Sequence, residues 1–253
     1  MGKRLGQHFL KDQNILKKII EALEIQSGDF VIEIGPGRGS LTELLMEAPI
    51  GKIIALEKDK KLALDLKLKN RSTTILEVIE DDALKALPPI TNKLNRDYKL
   101  IGNIPYYITG HLLRIIAELD NKPSLTVFTM QKEVAKRLSA KPPSMNLLAA
   151  SVQYWADPKI IATIPPGSFI PPPKVDSAII SLRTKHVKDS ERYYKFIRIL
   201  FKQPRKTILN NLSEGLELEK DVIKEKLTDL DIKERSRPQN LDLETIQKMS
   251  RLF

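Results

Sequence analysis

The groups needed to hold a planar, amine-bearing ring occur together in four consecutive residues, Asn103, Ile104, Pro105 and Tyr106. Asn103 offers an amide oxygen as a hydrogen-bond acceptor. Pro105 disfavours the helical conformation at Ile104, so the Ile104 carbonyl is presented from extended backbone. Tyr106 adds a flat face for stacking. These groups would grip an exocyclic amine and its ring, although Asn and Pro are also ordinary residues of turns that precede helices.

A proline-rich loop at 168–177 carries a second candidate aromatic residue, Phe169. The prolines stiffen this loop and remove backbone donors. We expect Phe169 either to form the second face of a ring clamp with Tyr106 or to be an ordinary core residue.

The elements that must position these groups begin with a nucleotide-binding pattern. An apolar strand over Phe30–Ile34, interrupted by Glu33, runs into a turn that contains Gly35, Gly37 and Gly39 and then into leucines at helical spacing. Strand, glycine-rich turn and helix open a doubly wound α/β sheet, and glycine lets the backbone approach a ligand. The spacing is G-x-G-x-G rather than the G-x-G-x-x-G of a dinucleotide site, which leaves a nicotinamide dehydrogenase as a remote alternative.

Two carboxylates follow at the ends of the next strands. Glu57 ends a strand at 52–56, about twenty residues after the glycines, where an acidic residue accepts hydrogen bonds from ribose hydroxyls. Asp82 follows a strand at 74–79 and is placed either to accept from an adenine amine or to cap a helix. Together with the glycine turn, these residues indicate a nucleoside-containing ligand.

The remaining chain predicts two domains, an α/β domain over 1–184 and a helical domain over 185–253. Further strands are predicted at 99–102, 124–130, 160–164 and 178–182, with helices between several of them. Beyond Thr184 the sequence lacks strand-like runs of β-branched residues and predicts several helices with short polar connections. The fold class is therefore α/β with a small all-α C-terminal domain.

Composition limits the function classes. The chain has 253 residues, 42% hydrophobic and 29% charged, and no apolar run approaches the ~18 residues of a membrane span. No secretory signal is visible, so we expect a cytoplasmic protein without a membrane partner. Cys is absent and the three His residues are scattered, so we expect no metal site. A net charge of +10 favours a polyanionic partner.

A basic segment at 192–206 is the candidate for that partner. It holds six basic residues and no acidic ones. Arg198, Lys202 and Lys206 are spaced as on one face of a helix, with Arg205 beside them, and we expect these four to bind RNA phosphates. The alternative is a solvated surface.

The motifs together resemble the S-adenosylmethionine-dependent ribosomal RNA adenine dimethyltransferases over nearly the whole chain. The N-terminal Gly-Gln-His-Phe-Leu is similar to the family's Gly-Gln-Asn-Phe-Leu, with His8 in place of Asn. Residues 33–39 fit the family's Glu-x-Gly-x-Gly-x-Gly, 103–106 its Asn-Ile-Pro-Tyr, and 169–177 its Phe-x-Pro-x-Pro-x-Val-x-Ser. The Arg-Lys-Thr at 205–207 resembles the bacterial enzymes that dimethylate two adjacent adenines near the 3′ end of the small-subunit RNA.

The resemblance implies a Rossmann-like class I methyltransferase sheet with helices on both faces, S-adenosylmethionine as cofactor, and a monomer that acts on 16S rRNA in ribosome biogenesis. It implies that the Asn103 amide oxygen and the Ile104 carbonyl accept the amine hydrogens, while Tyr106 and Phe169 stack the base. No general base is predicted. The residues implied around the cofactor are His8, Leu10, Gly35, Gly37, Glu57, Asp82, Ala83 and Asn103. A large-subunit enzyme of the erythromycin-resistance type and a non-catalytic assembly factor remain alternatives.

Overall fold

The structure, a computed structural model, describes residues 7–187 and 190–253, and these divide into two compact units. The first unit holds the described residues up to Ala135 together with Asp157–Thr184. The second holds Lys136–Ala156 and the described residues from Lys185 to Phe253. A single cut after residue 184 would assign 136–156 to the first unit. This segment belongs to the second because it buries side chains there, as when the Tyr154 ring stacks on Tyr193 at 3.8 Å between centroids.

The strands of the described chain form two sheets, of seven and of two strands. They are β1 (Phe9–Leu10), β2 (Phe30–Ile34), β3 (Lys52–Glu57), β4 (Leu76–Glu80), β5 (Lys99–Asn103), β6 (Leu125–Gln131), β7 (Ala156–Ile164), β8 (Phe169–Ile170) and β9 (Ser177–Thr184). The larger sheet has the order β4-β3-β2-β5-β6-β9-β7. Its first five strands run parallel, and β9 runs antiparallel to β6. The smaller sheet pairs β1 with β8 antiparallel.

Helices connect these strands and build the second unit. They are α1 (Gln13–Ala22), α2 (Ser40–Glu47), α3 (Lys60–Lys69), α4 (Ala83–Thr91), α5 (Thr109–Glu118), α6 (Lys132–Leu138), α7 (Leu147–Trp155), α8 (Ser190–Leu200), α9 (Ile208–Leu216), α10 (Lys220–Asp229) and α11 (Leu243–Leu252). Aspartates begin several of them: the side chains of Asp12, Asp59 and Asp82 accept backbone N–H groups of α1, α3 and α4.

The strand order places a crevice between β2 and β5. The chain leaves β2 toward β3 and β4 and then returns to β5 on the other side of β2. Since parallel crossovers are right-handed, the connecting helices cover opposite faces on the two sides of this reversal, and α1 packs on α2 while α4 packs on α5. A reversal of this kind leaves a ligand crevice at the carboxyl ends of the strands. Gly35 directly follows β2 at this edge, and Asn103 is the last residue of β5.

The fold class predicted from the sequence is confirmed. Each of the predicted strands exists, with ends that differ by a few residues, and the C-terminal region is helical. Helix α4 and the β1–β8 pair were not predicted, because α4 contains Pro88 and Pro89 and each of the paired strands spans two residues. Among the residues that the structure describes, every helix falls short of the length and apolar character that a bilayer crossing requires.

Each unit has its own core. In the first, side chains of α1, α2 and the central strands form one cluster that includes Leu16, Val31 and Ile101. In the second, α7 to α11 enclose a cluster that includes Phe196, Leu212 and Ile246. The buried first core holds the sheet edge, and therefore the cavity described next, in a defined geometry.

Candidate functional site

A cavity of the first unit lies at the carboxyl edge of the sheet and is lined by most of the predicted site residues. Those that line it are His8, Leu10, Gly35, Gly37, Glu57, Asp82, Ala83, Asn103, Ile104, Pro105 and Tyr106. They come from separate segments that meet where β2, β3, β4 and β5 end. Residues predicted from short motifs far apart in sequence thus share one cavity.

The glycine turn after β2 holds a carboxylate in place. Gly35 and Gly37 have φ values of +65° and +58°, which side-chain-bearing residues rarely adopt. The Gly37 N–H donates to Glu57 Oε2 at 3.0 Å, and the Asp59 N–H donates to Oε1 at 2.8 Å. Burial raises the pKa of Glu57, while these backbone hydrogen bonds oppose the rise. Each carboxylate oxygen keeps a further lone pair for a ligand hydroxyl.

Asp82 is both a helix cap and a cavity residue. Its Oδ1 accepts the Leu84 N–H at 3.0 Å at the start of α4, and its Oδ2 accepts from Lys58 Nζ at 2.8 Å. Partial burial acts to raise the Asp82 pKa, but the Lys58 and Leu84 hydrogen bonds outweigh it and lower the pKa overall. Lys58, which also lines the cavity, was not predicted as a site residue; its position directly after Glu57 was the available signal.

Glu33 is a cavity residue that sequence reasoning did not assign to the site. It is the single charged residue of β2, is 1% exposed, and its Oε2 accepts from the Thr42 hydroxyl at 2.7 Å. Burial raises its pKa to about 7; the Thr42 hydrogen bond lowers it and the nearby Glu57 charge raises it. The available signal was a carboxyl group within an apolar strand. Burying such a group is costly unless it has a hydrogen-bond partner, so its presence there indicates a specific role.

The Asn103 side chain is oriented from two sides. Its Oδ1 accepts from the Thr129 hydroxyl of β6, and its Nδ2 donates to the His8 carbonyl at 2.7 Å. These partners assign which amide atom is oxygen and which is nitrogen. The Oδ1 retains a second lone pair, so the amide is held rigidly with acceptor capacity remaining. The Ile104 side chain is buried and its N–H donates to the Thr129 carbonyl at 3.3 Å, which fixes the backbone that follows β5.

Tyr106 begins a short 3-10 turn before α5 and is held by the proline-rich loop. Its hydroxyl shares a hydrogen bond with Ser177 Oγ at 2.6 Å. Partial burial raises its pKa, and the Ser177 bond opposes that rise. Its ring lies 5.8 Å from the His8 ring with 27° between the planes. Thr129 and Ser177, which hold Asn103 and Tyr106, were not predicted because these hydrogen bonds join residues that are 26 and 71 positions apart in the sequence.

Phe169 does not lie where a ring clamp requires it. Its side chain is 2% exposed and belongs to the core cluster that also contains Leu10 and Ile164. In the β1–β8 pair, Phe169 is opposite Leu10, and the alternation of side chains along a strand directs the next residue, Ile170, outward at 47% exposed. The core alternative describes Phe169 in this structure, and the expectation that its ring faces a base is not met.

Comparison with known proteins identifies the family. The family model for ribosomal RNA adenine dimethylase matches residues 1–251. The chain belongs to this family. It is therefore an enzyme, an rRNA adenine dimethyltransferase with a Rossmann-like methyltransferase fold.

Individual relatives agree over nearly the whole chain. A protein of Dehalococcoides mccartyi named ribosomal RNA small subunit methyltransferase A is 39% identical over 98% of this chain and 86% of its own length. A Clostridioides difficile protein of the same name is 37% identical over 100% of this chain and 90% of its own length. The crystal structure of a dimethyladenosine transferase from Plasmodium falciparum superposes with a TM-score of 0.81 at 28% identity, covering 96% of each chain.

The predicted basic face of this dimethyltransferase is not a single helix. Helix α8 ends at Leu200 and α9 begins at Ile208, so Lys202 and Lys206 lie in the connection. Pro204 explains the break, because proline removes a backbone donor and disfavours helix at the preceding residue. The predicted i, i+4, i+8 helical face is therefore wrong.

The charges of this connection are also partly balanced. Glu214 of α9 accepts ion pairs from Lys202 at 3.5 Å and Lys206 at 3.0 Å. These lysines hold the pKa of Glu214 below its ordinary value. Arg198 and Arg205 are exposed, and in the described part of the chain no carboxylate pairs with either. The charge surplus that suits a phosphate surface therefore centres on these two arginines.

Proposed function

We propose that this enzyme transfers methyl groups from S-adenosylmethionine to the exocyclic amines of two adjacent adenines near the 3′ end of small-subunit (16S) rRNA. The observation that carries the proposal is the oriented Asn103 amide in the same cavity as the carboxylates of Glu57 and Asp82. The small-subunit names of the relatives support this RNA over the large-subunit alternative. We expect the reaction to occur in the cytoplasm during ribosome biogenesis.

The cavity residues suit S-adenosylmethionine. The walls of the cavity carry three carboxyl groups, from Glu33, Glu57 and Asp82, together with Arg38 and Lys58. Lys58 is paired with Asp82, and the Arg38 guanidinium lies over the Phe9 ring, 4.7 Å from its centroid. The Glu57 carboxylate, whose oxygens accept hydrogen bonds from the backbone N–H groups of Gly37 and Asp59, suits a cationic nucleoside better than a pyrophosphate-bearing dinucleotide.

Separate residues would hold separate parts of that cofactor. Glu57 would accept from the ribose hydroxyls and Asp82 from the adenine amine, while Gly35 and Gly37 give the backbone close approach. We assign His8, Leu10 and Ala83 to the walls around it. When bound, S-adenosylmethionine supplies an electrophilic methyl group on a sulfonium.

The chain's own contribution at the adenine is orientation and polarisation. An adenine amine is a weak nucleophile because its lone pair is delocalised into the ring. If Asn103 Oδ1 and the Ile104 carbonyl accept its two hydrogens, the lone pair is localised and aimed at the methyl carbon. Tyr106 would stack the base after it leaves its RNA neighbours, and holding the reacting atoms in line accounts for much of the acceleration.

The helical second unit is the proposed RNA-binding domain. We expect Arg198 and Arg205 to make its main contacts with RNA phosphates. Lys202 and Lys206 would add to these contacts if RNA breaks their ion pairs with Glu214. We also expect the enzyme to be a monomer, which sedimentation at working concentration would test.

The deciding experiment combines the purified protein, labelled S-adenosylmethionine and small subunits that lack adenine dimethylation. We expect label in adenines near the 3′ end of the small-subunit RNA. Label in large-subunit RNA would instead support the erythromycin-resistance type, and RNA binding without transfer would support a non-catalytic assembly factor.

A variant tests the assigned residue. Asn103→Ala should lower methyl transfer by at least about a hundredfold, because positioning and polarisation are lost together, while cofactor affinity stays within a few-fold. Asn92→Ala, at an exposed Asn at the end of α4, is the matched control and should keep full activity. Full activity of the Asn103 variant would reject the role proposed for Asn103.

A further inference from the structure

Thr129 of β6 contacts both of the residues proposed to accept the amine hydrogens. In the parallel β5–β6 register it lies opposite Asn103, and its hydroxyl donates to Asn103 Oδ1. Its carbonyl accepts the Ile104 N–H at 3.3 Å, which fixes the backbone immediately before the Ile104 carbonyl. Thr129 is fully buried, so it holds both residues from the protein interior.

The partners of the Asn103 amide decide which way it points. The His8 carbonyl can only accept, so it selects the amide Nδ2, which donates to it at 2.7 Å. Oδ1 then faces the Thr129 hydroxyl, which must be the donor in that bond. Because an amide oxygen has two lone pairs, one remains for the substrate. This suits one amine hydrogen at Oδ1 and the other at the Ile104 carbonyl.

We propose that Thr129 is a positioning residue of the methyl-transfer site, whose hydroxyl fixes the Asn103 amide in the direction that accepts an adenine amine hydrogen. The inference rests on the proposed function. Without this hydroxyl the amide keeps only its bond to the His8 carbonyl, and rotation of the amide moves Oδ1 away from the amine. Since transfer requires the reacting atoms in line, such a displacement lowers the rate of the chemical step rather than the binding of the cofactor.

A matched pair of substitutions on β6 tests the hydroxyl. Thr129→Val is close to isosteric and removes the donor. Thr126→Val makes the same change three residues earlier, on the other face of the sheet. Thr126 is also fully buried, and in the part of the chain that the structure describes its hydroxyl has no hydrogen-bond partner. The control therefore matches strand, burial and chemistry but lacks the contact with Asn103.

We expect Thr129→Val to lower kcat for methyl transfer to small-subunit RNA about tenfold, with KM for RNA and affinity for S-adenosylmethionine unchanged. Thr126→Val should retain the wild-type kcat. Thr129→Ser keeps the hydroxyl and should retain most of the activity, whereas Thr129→Ala, which differs from it by the hydroxyl alone, should lose as much as Thr129→Val. The comparison of Ser with Ala keeps the test decisive if Thr129→Val does not fold.

A double-mutant cycle separates positioning of the amide from a general effect on the strand. In an Asn103→Ala background, Thr129→Val should cause no further loss of kcat in single-turnover assays, because the amide that the hydroxyl holds is absent.

Several results would overturn the inference. These are a wild-type kcat in Thr129→Val, an equal loss in Thr126→Val or Thr129→Ser, and a loss that appears only in KM. A full further loss in the Asn103→Ala background would assign Thr129 to the strand rather than to the amide. An inactive wild type would instead defeat the proposed function itself, so the two failures are distinguishable.

Discussion

The protonation state of Glu33 gives a prediction whose size follows from the structure. The carboxyl lies in the middle of β2, is 1% exposed, and has a pKa raised by burial from 4.5 to about 7. Glu33→Gln replaces it with a neutral side chain of similar size that can still accept the Thr42 hydroxyl.

The sign follows from comparing the folded and unfolded chains. Below about pH 4.5 both are protonated at Glu33 and its contribution to stability is fully present. As pH rises toward 7, the unfolded chain releases the proton while the folded chain keeps it, so stability is lost through this window and then levels off. The two pKa values differ by about 2.5 pH units, which corresponds to a loss of about 3 kcal/mol.

The Glu33→Gln variant should escape this loss. Its advantage in free energy of unfolding should be below about 1 kcal/mol at pH 5 and approach about 3 kcal/mol at pH 8. Because the chain has two compact units, a single global transition is a poor measure. Hydrogen exchange in peptides that cover β2, compared between proteins at the same pH, reports on the first unit directly.

A matched control removes a carboxyl elsewhere. Glu47→Gln, at the exposed end of α2, should leave the pH dependence of β2 exchange as in wild type. A Glu33→Gln advantage that is the same at pH 5 and pH 8, or a variant that is less stable at pH 8, would refute the reasoning about burial.

Two further predictions concern hydrogen-bond and ion-pair partners. Thr42→Val removes the hydrogen bond that lowers the Glu33 pKa, so this pKa should rise further. In the same hydrogen-exchange series, the loss of β2 stability with rising pH should therefore continue to a higher pH than in wild type. An unchanged pH range would contradict this. Glu214→Gln releases Lys202 and Lys206 from their ion pairs, so RNA affinity should rise and its salt dependence steepen by up to about one unit of slope per lysine. Unchanged binding would show that these lysines do not contact phosphate.

Local signals in the sequence were enough for the strands of the larger sheet, but not for α4 or for the β1–β8 pair. These signals include the apolar runs of β2 and β3, the glycines after β2 and the aspartate before α3, and each acts on the backbone within a few residues. Backbone sterics and capping therefore decide their conformations without reference to the rest of the chain. The reversal of strand order, which the structure shows, brings Glu57 and Asn103 to one cavity.

The sequence alone therefore determined the fold class and the cavity residues that directly end or follow strands, because strand ends in a parallel sheet share one edge. The tertiary structure alone decided which of the remaining candidates reach the site. Phe169 is buried through its pairing with β1, Lys202 and Lys206 are paired with Glu214, and the His8 ring contacts Pro171, 163 positions away. Contacts at such separations depend on packing between elements, and no local propensity encodes them.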